Sequence, residues 1–351
     1  MGYISLNEIQ AGRATRWPSL WCEGVRMKKC FDAEDVRAAR ERIAGHIRQT
    51  PLEESIYLSD DDHKYFFKLE SQQLGKSFKI RGALNTISQL SEFEMQNGVG
   101  TVSTGNHGVA VAMAAHALGI RDCAVVVPMG TPQAKTDRIR YYGARSMNLG
   151  ADYDEALTLG INYIDCAGMF YLDPFEHDPR VYAGQGTIGL EVMEQLPACD
   201  TIVVPIGGGG LVTGIAVAAK SVNPDVRIVG VQTAACPAMV ASLRDHTCYS
   251  RYPTKGETVC EAVVGGVGEI AVDMLPDLID DIIVVSEESI RSAFKFMIER
   301  EQLSVEAGSA MVVAAVRDFP EQVGGSNVAL VISGGNLDRN LLCDILTSDE
   351  D

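Results

Sequence analysis

From about residue 65 onward, short β-branched apolar runs alternate with longer stretches of helical period. Tyr65–Leu69, Gly100–Ser103, Cys123–Pro128, Ala144–Leu149, Thr201–Ile206, Arg227–Gln232, Ile282–Ser286 and Asn327–Ser333 are predicted as buried strands. Between them, Gly108–Leu118, Leu211–Lys220, Glu288–Arg300 and Ser309–Asp318 are amphipathic or Ala-rich and are predicted as helices. Asp32 to His46 reads as a capped helix ahead of this alternation. Strands interleaved with helices imply parallel sheets covered on both faces. The predicted fold is therefore α/β with two lobes, each an open, mostly parallel sheet covered by helices, and a ligand cleft between them. The charge-poor segment 100–150 marks the smaller lobe. Residues 96–178 are assigned to it, 28–95 with 179–351 to the larger lobe, and 1–27 to an N-terminal extension.

The chain has 351 residues, 46% of them apolar and 22% charged, which suits a globular enzyme with a large core. With 47 Asp and Glu against 30 Lys and Arg, the formal net charge is −17. Such a surface repels phosphate backbones and anionic lipid, so nucleic acid and membrane are poor partners. The acids are spread along the chain; only Ser348-Asp349-Glu350-Asp351 resembles a frayed acidic end. No apolar run approaches a membrane span, and residues 1–27 lack the apolar centre of a signal peptide. Nine cysteines without a CxxC pair fit reduced thiols in a cytoplasm rather than a zinc site or a disulfide framework. Residues 1–26 show no clean period. Two readings of them stand side by side: translation that starts at Met27, since codons for Glu23-Gly24-Val25 spell a purine-rich leader, or a real arm.

Four Gly- or Lys-bearing segments fit the carboxyl ends of strands, where open parallel sheets bind ligands. They are Ser77-Phe78-Lys79-Ile80-Arg81-Gly82-Ala83, Ser103-Thr104-Gly105-Asn106-His107-Gly108, Gly207-Gly208-Gly209-Gly210-Leu211 and Ser333-Gly334-Gly335-Asn336. The tetraglycine follows the strand TIVVPI and opens the helix LVTGIAVAAK, so its amides converge on an anion at a helix N-terminus. It is not a Walker loop, because Leu211 and Val212 stand where Lys and Ser/Thr belong. Lys79, partly desolvated between Phe78 and Ile80, suits Schiff-base chemistry. Taken singly, each has a plainer role: a glycine run makes a tight turn, Lys79 a salt bridge, Asn106 a helix cap, Ser333 a turn.

In this order, the four segments resemble the threonine dehydratase and serine racemase family of pyridoxal-phosphate enzymes, with the tryptophan synthase β-like fold type. The resemblance covers nearly all of residues 30–346, and AGQGTIGLE at 183–191 adds to it. The Ile80-Arg81-Gly82 run after the lysine points to the dehydratase branch rather than to cysteine synthase or threonine synthase. The resemblance implies that Lys79, beside Phe78, carries pyridoxal 5'-phosphate as a Schiff base and, once released, takes the substrate's α-proton. It implies that Asn106 bonds the phenolic oxygen, that Gly207, Gly208, Gly209, Gly210 and the Leu211 amide cradle the phosphate, and that Ser333 meets the pyridine nitrogen. The amides of Ser103, Thr104, Gly105, Asn106 and His107 would hold the substrate carboxylate. A homodimer, with a tetramer as the larger form, is the family's assembly.

Departures from the family pattern qualify this. Gly75-Lys76 stands where relatives have Thr-Gly, so Lys76 adds a cation, either to meet a second substrate carboxylate or to lower the proton affinity of Lys79. Thr104 occupies the place of the racemases' serine, the base on the opposite face, but is stiffer at χ1. Gln232 and Ala238 replace the acids of the racemase metal site, so no dedicated metal is expected. The histidines have no metal-ligand spacing; His107 is expected to be structural, and His177 lies in a loop near the rim. No effector module is expected beyond residue 346. The expected activity is an ammonia-lyase that turns a small β-hydroxy amino acid such as L-threonine or L-serine into a 2-oxo acid and ammonia. STGNHG also resembles the dehydratase associated with ectoine utilisation, which keeps a hydroxylated ectoine-derived or 3-hydroxyaspartate-like substrate open. A serine-type racemase is the enzymatic alternative, and a non-catalytic pyridoxal-phosphate carrier the alternative outside catalysis.

Overall fold

The computed structural model describes residues 30–347; the expectations for Met27 and for Ser348–Asp351 lie outside the described residues. Within them run strands β1 (Leu52–Glu54), β2 (Lys64–Lys68), β3 (Val99–Val102), β4 (Cys123–Val127), β5 (Arg145–Asn148), β6 (Phe170–Tyr171), β7 (Thr201–Pro205), β8 (Arg227–Thr233), β9 (Asp281–Val285) and β10 (Asn327–Val331). They form a six-stranded sheet in the order β1-β2-β10-β7-β8-β9 and a four-stranded sheet in the order β5-β4-β3-β6. All pairings are parallel except β1 with β2. The architecture is the expected α/β fold with two lobes.

Each of the eight predicted strands is present, with ends displaced by one or two residues; the Asn327–Ser333 run, for example, stops at Val331. The strand expected at Ala144–Leu149 is not buried as predicted: Arg145–Asn148 lies at the edge of the smaller sheet and has no buried residue. β1 and β6 were not read from the sequence. β1 has three residues on an outer edge, two of them exposed, and β6 has only two. Neither is long enough to show an alternation. The helix predicted from Asp32 covers Ala33–Ile43, and its capping box is formed by Asp32 and Asp35.

Alternation along the parallel strands decides which helices cover which face. In the larger sheet Ile202, Val204, Ile228, Ala329 and Val331 pack under the helices Ala33–Ile43, Pro179–Gln195 and Gly210–Val222. Val203, Val229, Val231, Ile283 and Leu330 face the opposite way, towards Glu287–Glu299 and Ala307–Asp318. In the smaller sheet Val125 and Val127 face Lys79–Ile87 and Asn106–Ala117, whereas Ala124 and Val126 face Tyr153–Cys166.

The stretch Ala183–Glu191 is explained by packing. A methyl group on Gly186 would lie 2.7 Å from the Gly214 carbonyl, and one on Gly184 would lie 2.6 Å from Gly82 Cα. The helix Pro179–Gln195 thus approaches two neighbours backbone to backbone, and one of them is the helix that begins at Lys79.

That helix is also held by charge. Arg81 is completely buried and pairs with Glu70 (2.8 Å) and Glu191 (2.6 Å). Lys68, also at zero exposure, donates to Glu191 (2.6 Å), to the Thr50 carbonyl (2.8 Å) and to Gln195 (2.8 Å). Two cations thus meet two carboxylates. Burial alone would raise the Glu191 carboxyl, but Arg81 and Lys68 outweigh it and hold the group below its ordinary range. Removing one partner leaves an uncompensated buried charge. Arg81→Met is expected to lower unfolding stability by about 3–5 kcal/mol. Arg40→Met, which breaks the exposed pair with Glu194, should cost less than about 1 kcal/mol. Denaturant titration of both variants would check this; equal losses would refute a structural role for the buried quartet.

Candidate active site

The four segments singled out in the sequence all follow the carboxyl end of a parallel strand. The Ser77–Ala83 segment comes after β2, Ser103–Gly108 after β3, the tetraglycine after β7 and Ser333–Asn336 after β10. Hydrogen bonds join three of them, all but the tetraglycine. The Phe78 amide donates to the Ser333 carbonyl (3.1 Å), and Ser77 makes an antiparallel bridge with Gly334. The Asn106 side chain accepts from Asn336.

Lys79 opens the helix Lys79–Ile87 and is half-buried. Its Nζ lies 3.5 Å from the Pro174 carbonyl, 5.2 Å from the Phe78 ring centroid and 5.9 Å from that of Phe175. Burial lowers its pKa to about 8, against the opposing pull of Asp173 and Glu306. The charges that act on Lys79 are therefore carboxylates. The cation expected beside it, Lys76, is exposed, with φ of 62°.

The tetraglycine is a close-fitting cradle. A Cβ on Gly208 would lie 2.3 Å from carbons of the Phe175 ring, and Gly209, with φ of 97°, caps the helix Gly210–Val222 in a left-handed conformation. Leu211 follows, buried, in the first turn. The first amides of this helix have no acceptor within it, which leaves them for an anion. The Gly208 carbonyl accepts from the Gly268 amide (2.9 Å), so the loop is pinned from behind.

Asn106 is not the helix cap. The cap position is Gly105, which makes no side-chain hydrogen bond, and Asn106 is the first helical residue. Its Nδ2 donates to Glu306 Oε2 (2.9 Å) and Oε1 (3.1 Å). Ser103 and Thr104 are half-buried and Gly105 exposed; the Gly105 amide donates to Ser103 Oγ (3.2 Å). His107 is buried and its Nε2 lies 3.2 Å from the Leu172 carbonyl. A carbonyl only accepts, so Nε2 carries the proton; burial pushes the pKa down to about 3, and the ring stays neutral. His107 is thus a strut between β3 and the segment after β6. Ser333 is buried, with Oγ 3.1 Å from Ser309 Oγ.

His177 is exposed, between Glu176 (3.4 Å) and Glu269 (3.8 Å). Gln232 is committed elsewhere: its Oε1 accepts from the Met239 (3.0 Å) and Val240 (3.1 Å) amides and so caps the helix Ala238–Asp245. Among the described residues, no group of three or more His, Cys, Asp or Glu is placed to hold a metal.

Three residues beside the site were missed in the sequence, Asp173, Phe175 and Glu306, and Asn336 was named within a segment but given no role. Asp173 accepts from the Phe175 amide (2.7 Å), and burial raises its carboxyl. Glu306 had a legible signal, a single acid set between Val305 and the small-residue helix Ala307–Asp318.

These residues fit pyridoxal phosphate: a lysine with lowered proton affinity, a cradle that side chains would fill, a neutral hydroxyl and an amide donor. One consequence is testable without any cofactor. With a pKa of about 8, roughly a tenth of Lys79 is neutral at pH 7, far more than for an ordinary lysine. Labelling of Lys79 by an amine reagent, mapped by mass spectrometry, should reach half its maximal rate near pH 8. A midpoint above pH 10 would contradict the burial argument.

Comparison with known proteins agrees with this geometry. The sequence profile described as pyridoxal-phosphate dependent enzyme matches residues 43–334. The chain is 39% identical over 310 residues to the L-threonine ammonia-lyase of Thermotoga maritima, covering 88% of this chain and 76% of that protein. It is 36% identical over 315 residues to the catabolic L-threonine dehydratase of Escherichia coli, covering 89% and 95%. Maize serine racemase superposes with a TM-score of 0.83 at 32% identity, covering 90% of this chain and 97% of the racemase. Four strand-end segments gathered on one lysine, in a chain that matches over most of its length, have a common explanation: the chain belongs to the pyridoxal-phosphate dependent enzyme family, and its cofactor is pyridoxal phosphate.

Proposed function

We propose that this enzyme is an ammonia-lyase that converts a small β-hydroxy amino acid, L-threonine or L-serine, into a 2-oxo acid and ammonia. The observation that carries the reading is Lys79: a lysine with a pKa of about 8 at a helix start, facing the tetraglycine wall through Phe175. The threonine ammonia-lyase and dehydratase relatives support it. Pyridoxal phosphate, when bound, supplies an electron-withdrawing ring that acidifies the α-hydrogen of the attached amino acid. The protein's residues do the rest. Neutral Lys79 takes the α-proton, and its burial is what makes it a base near neutral pH. The Gly207, Gly208, Gly209, Gly210 and Leu211 amides hold the phosphate, and Asn106 donates to the phenolic oxygen. Ser333 meets the ring nitrogen with a hydroxyl that cannot keep it protonated as a carboxylate would. The amides of Ser103 to His107 hold the substrate carboxylate.

Further parts of the reading are the lobe boundaries (28–95 with 179–351, and 96–178), a homodimer or tetramer, and a cytoplasmic location. No helix among the described residues is long and apolar enough to cross a membrane. The reaction should need no dedicated metal, because Gln232 spends its oxygen on a helix N-terminus.

A racemase is the second reading, favoured by the likeness to maize serine racemase. It needs a proton donor opposite Lys79. Thr104 is the candidate, but β-branching restricts its hydroxyl. With L-threonine and L-serine, 2-oxo acid release should outpace D-enantiomer formation and survive chelation. Lys79→Ala should abolish both, and Thr104→Ala should cut racemisation more than elimination. A keto-acid assay run beside chiral chromatography decides it; D-enantiomer appearing faster than keto acid would overturn the lyase assignment.

A further inference from the structure

Glu306 is a half-buried acid beside the cofactor site whose charge acts on Lys79 but whose contacts have no part in the chemistry above. It is tied to the segment that follows Ser333: its amide donates to the Gly334 carbonyl (3.0 Å). A Cβ on Gly334 would lie 2.5 Å from Glu306 Oε1, so the carboxylate occupies the space that any side chain at 334 would need. From there it reaches across to Asn106.

Hydrogen-bond logic fixes how the Asn106 amide is turned. Arg138 can only donate, and it donates to Asn336 Oδ1 and to the Gly75 carbonyl (3.1 Å). The Gly75 carbonyl can only accept, and it takes a second bond from Asn336 Nδ2 (3.0 Å). Asn336 therefore presents Nδ2 to Asn106, whose Oδ1 accepts it. At the other end a carboxylate only accepts, so Asn106 Nδ2 must face Glu306. The two oxygens of one carboxylate lie on the same side of Nδ2 and share one of its hydrogens, so the other remains for a ligand.

We propose that Glu306 is a positioning residue: its carboxylate holds the Asn106 amide so that the remaining N–H is presented to the phenolic oxygen of pyridoxal phosphate. The inference rests on reading Asn106 as the ligand of that oxygen. A charged acceptor suits the task, since hydrogen bonds to an ionised group are shorter and stronger than neutral ones. A glutamine of equal size offers a neutral oxygen and a competing amide, and the direction of the Asn106 side chain is then no longer fixed. Burial raises the Glu306 carboxyl, while Asn106 and Lys79 pull it back towards ionisation.

The test is a double-mutant cycle on the loaded enzyme and on the protein freed of cofactor. Glu306→Gln should bind added pyridoxal phosphate about tenfold more weakly, the scale of one hydrogen bond to a charged group. Its visible absorption band should move, because the ring oxygen loses its fixed donor. In an Asn106→Ala background the same substitution should change affinity and band much less, since only the pull of Glu306 on Lys79 is then lost. Asn336→Ala releases the other end of the amide and should reproduce the weaker binding and moved band, which keeps the test open if Glu306→Gln does not fold. Wild-type affinity and band in Glu306→Gln, or equal losses in both backgrounds, would overturn the inference while leaving the enzyme assignment intact. A wild type that takes up no pyridoxal phosphate would overturn the assignment itself, and the inference with it.

Discussion

Two cations and two carboxylates, Lys68, Arg81, Glu70 and Glu191, are shut away from water where β2, the turn after it, the helix Lys79–Ile87 and the helix Pro179–Gln195 meet. Desolvating such charges is costly unless each is paired and its remaining hydrogen-bonding groups are met. Here they are: Glu70 also accepts from Thr50 Oγ1 (2.6 Å), and Arg81 also donates to Thr187 Oγ1 (3.1 Å). The arrangement tolerates few alternatives, because shifting any one of the elements would strand a buried charge. Arg81 stands two residues from Lys79, so the geometry of the quartet is passed to the lysine through less than one helical turn.

The same helix start is held on its other sides by backbone contacts. Phe78 and Ser77 hydrogen-bond into the Ser333–Gly334 segment, and Gly82 takes the close approach of Gly184. A lysine fixed in this way can be partly buried without a dedicated ion-pair partner, and that burial lowers its proton affinity. Structure and chemistry thus share one cause. The packing that fixes the start of the helix Lys79–Ile87 also buries Lys79 and so lowers its proton affinity.

Much of this was legible in the sequence, for physical reasons. Buried parallel strands are mostly apolar runs, so the inner strands could be read, although the edge strand Arg145–Asn148 has no buried residue; the four strand-end segments could be placed from strand followed by glycine. The edge strand Leu52–Glu54 carries no such run, and Phe170–Tyr171 is too short to carry a period. At the site, Lys79, the tetraglycine, Asn106 and Ser333 stood in recognisable segments. Glu306 and Asp173 did not, and Asn336 stood in one without a role being read for it, because their part depends on partners far along the chain: Asn106 to Glu306 spans 200 residues. The charge environment of Lys79 was also misjudged from sequence. Lys76 is its neighbour in the chain, but the side chain is exposed and the groups that act on Lys79 are carboxylates. Proximity in sequence is a poor guide to electrostatics within a fold.

The account turns on one covalent attachment. Borohydride reduction of the protein loaded with pyridoxal phosphate, followed by proteolysis and mass mapping, tests it most directly. A pyridoxyl group on the peptide containing Lys79, lost in Lys79→Ala, is the predicted result. An adduct confined to another lysine, or no adduct in a preparation that still releases 2-oxo acid, would contradict it.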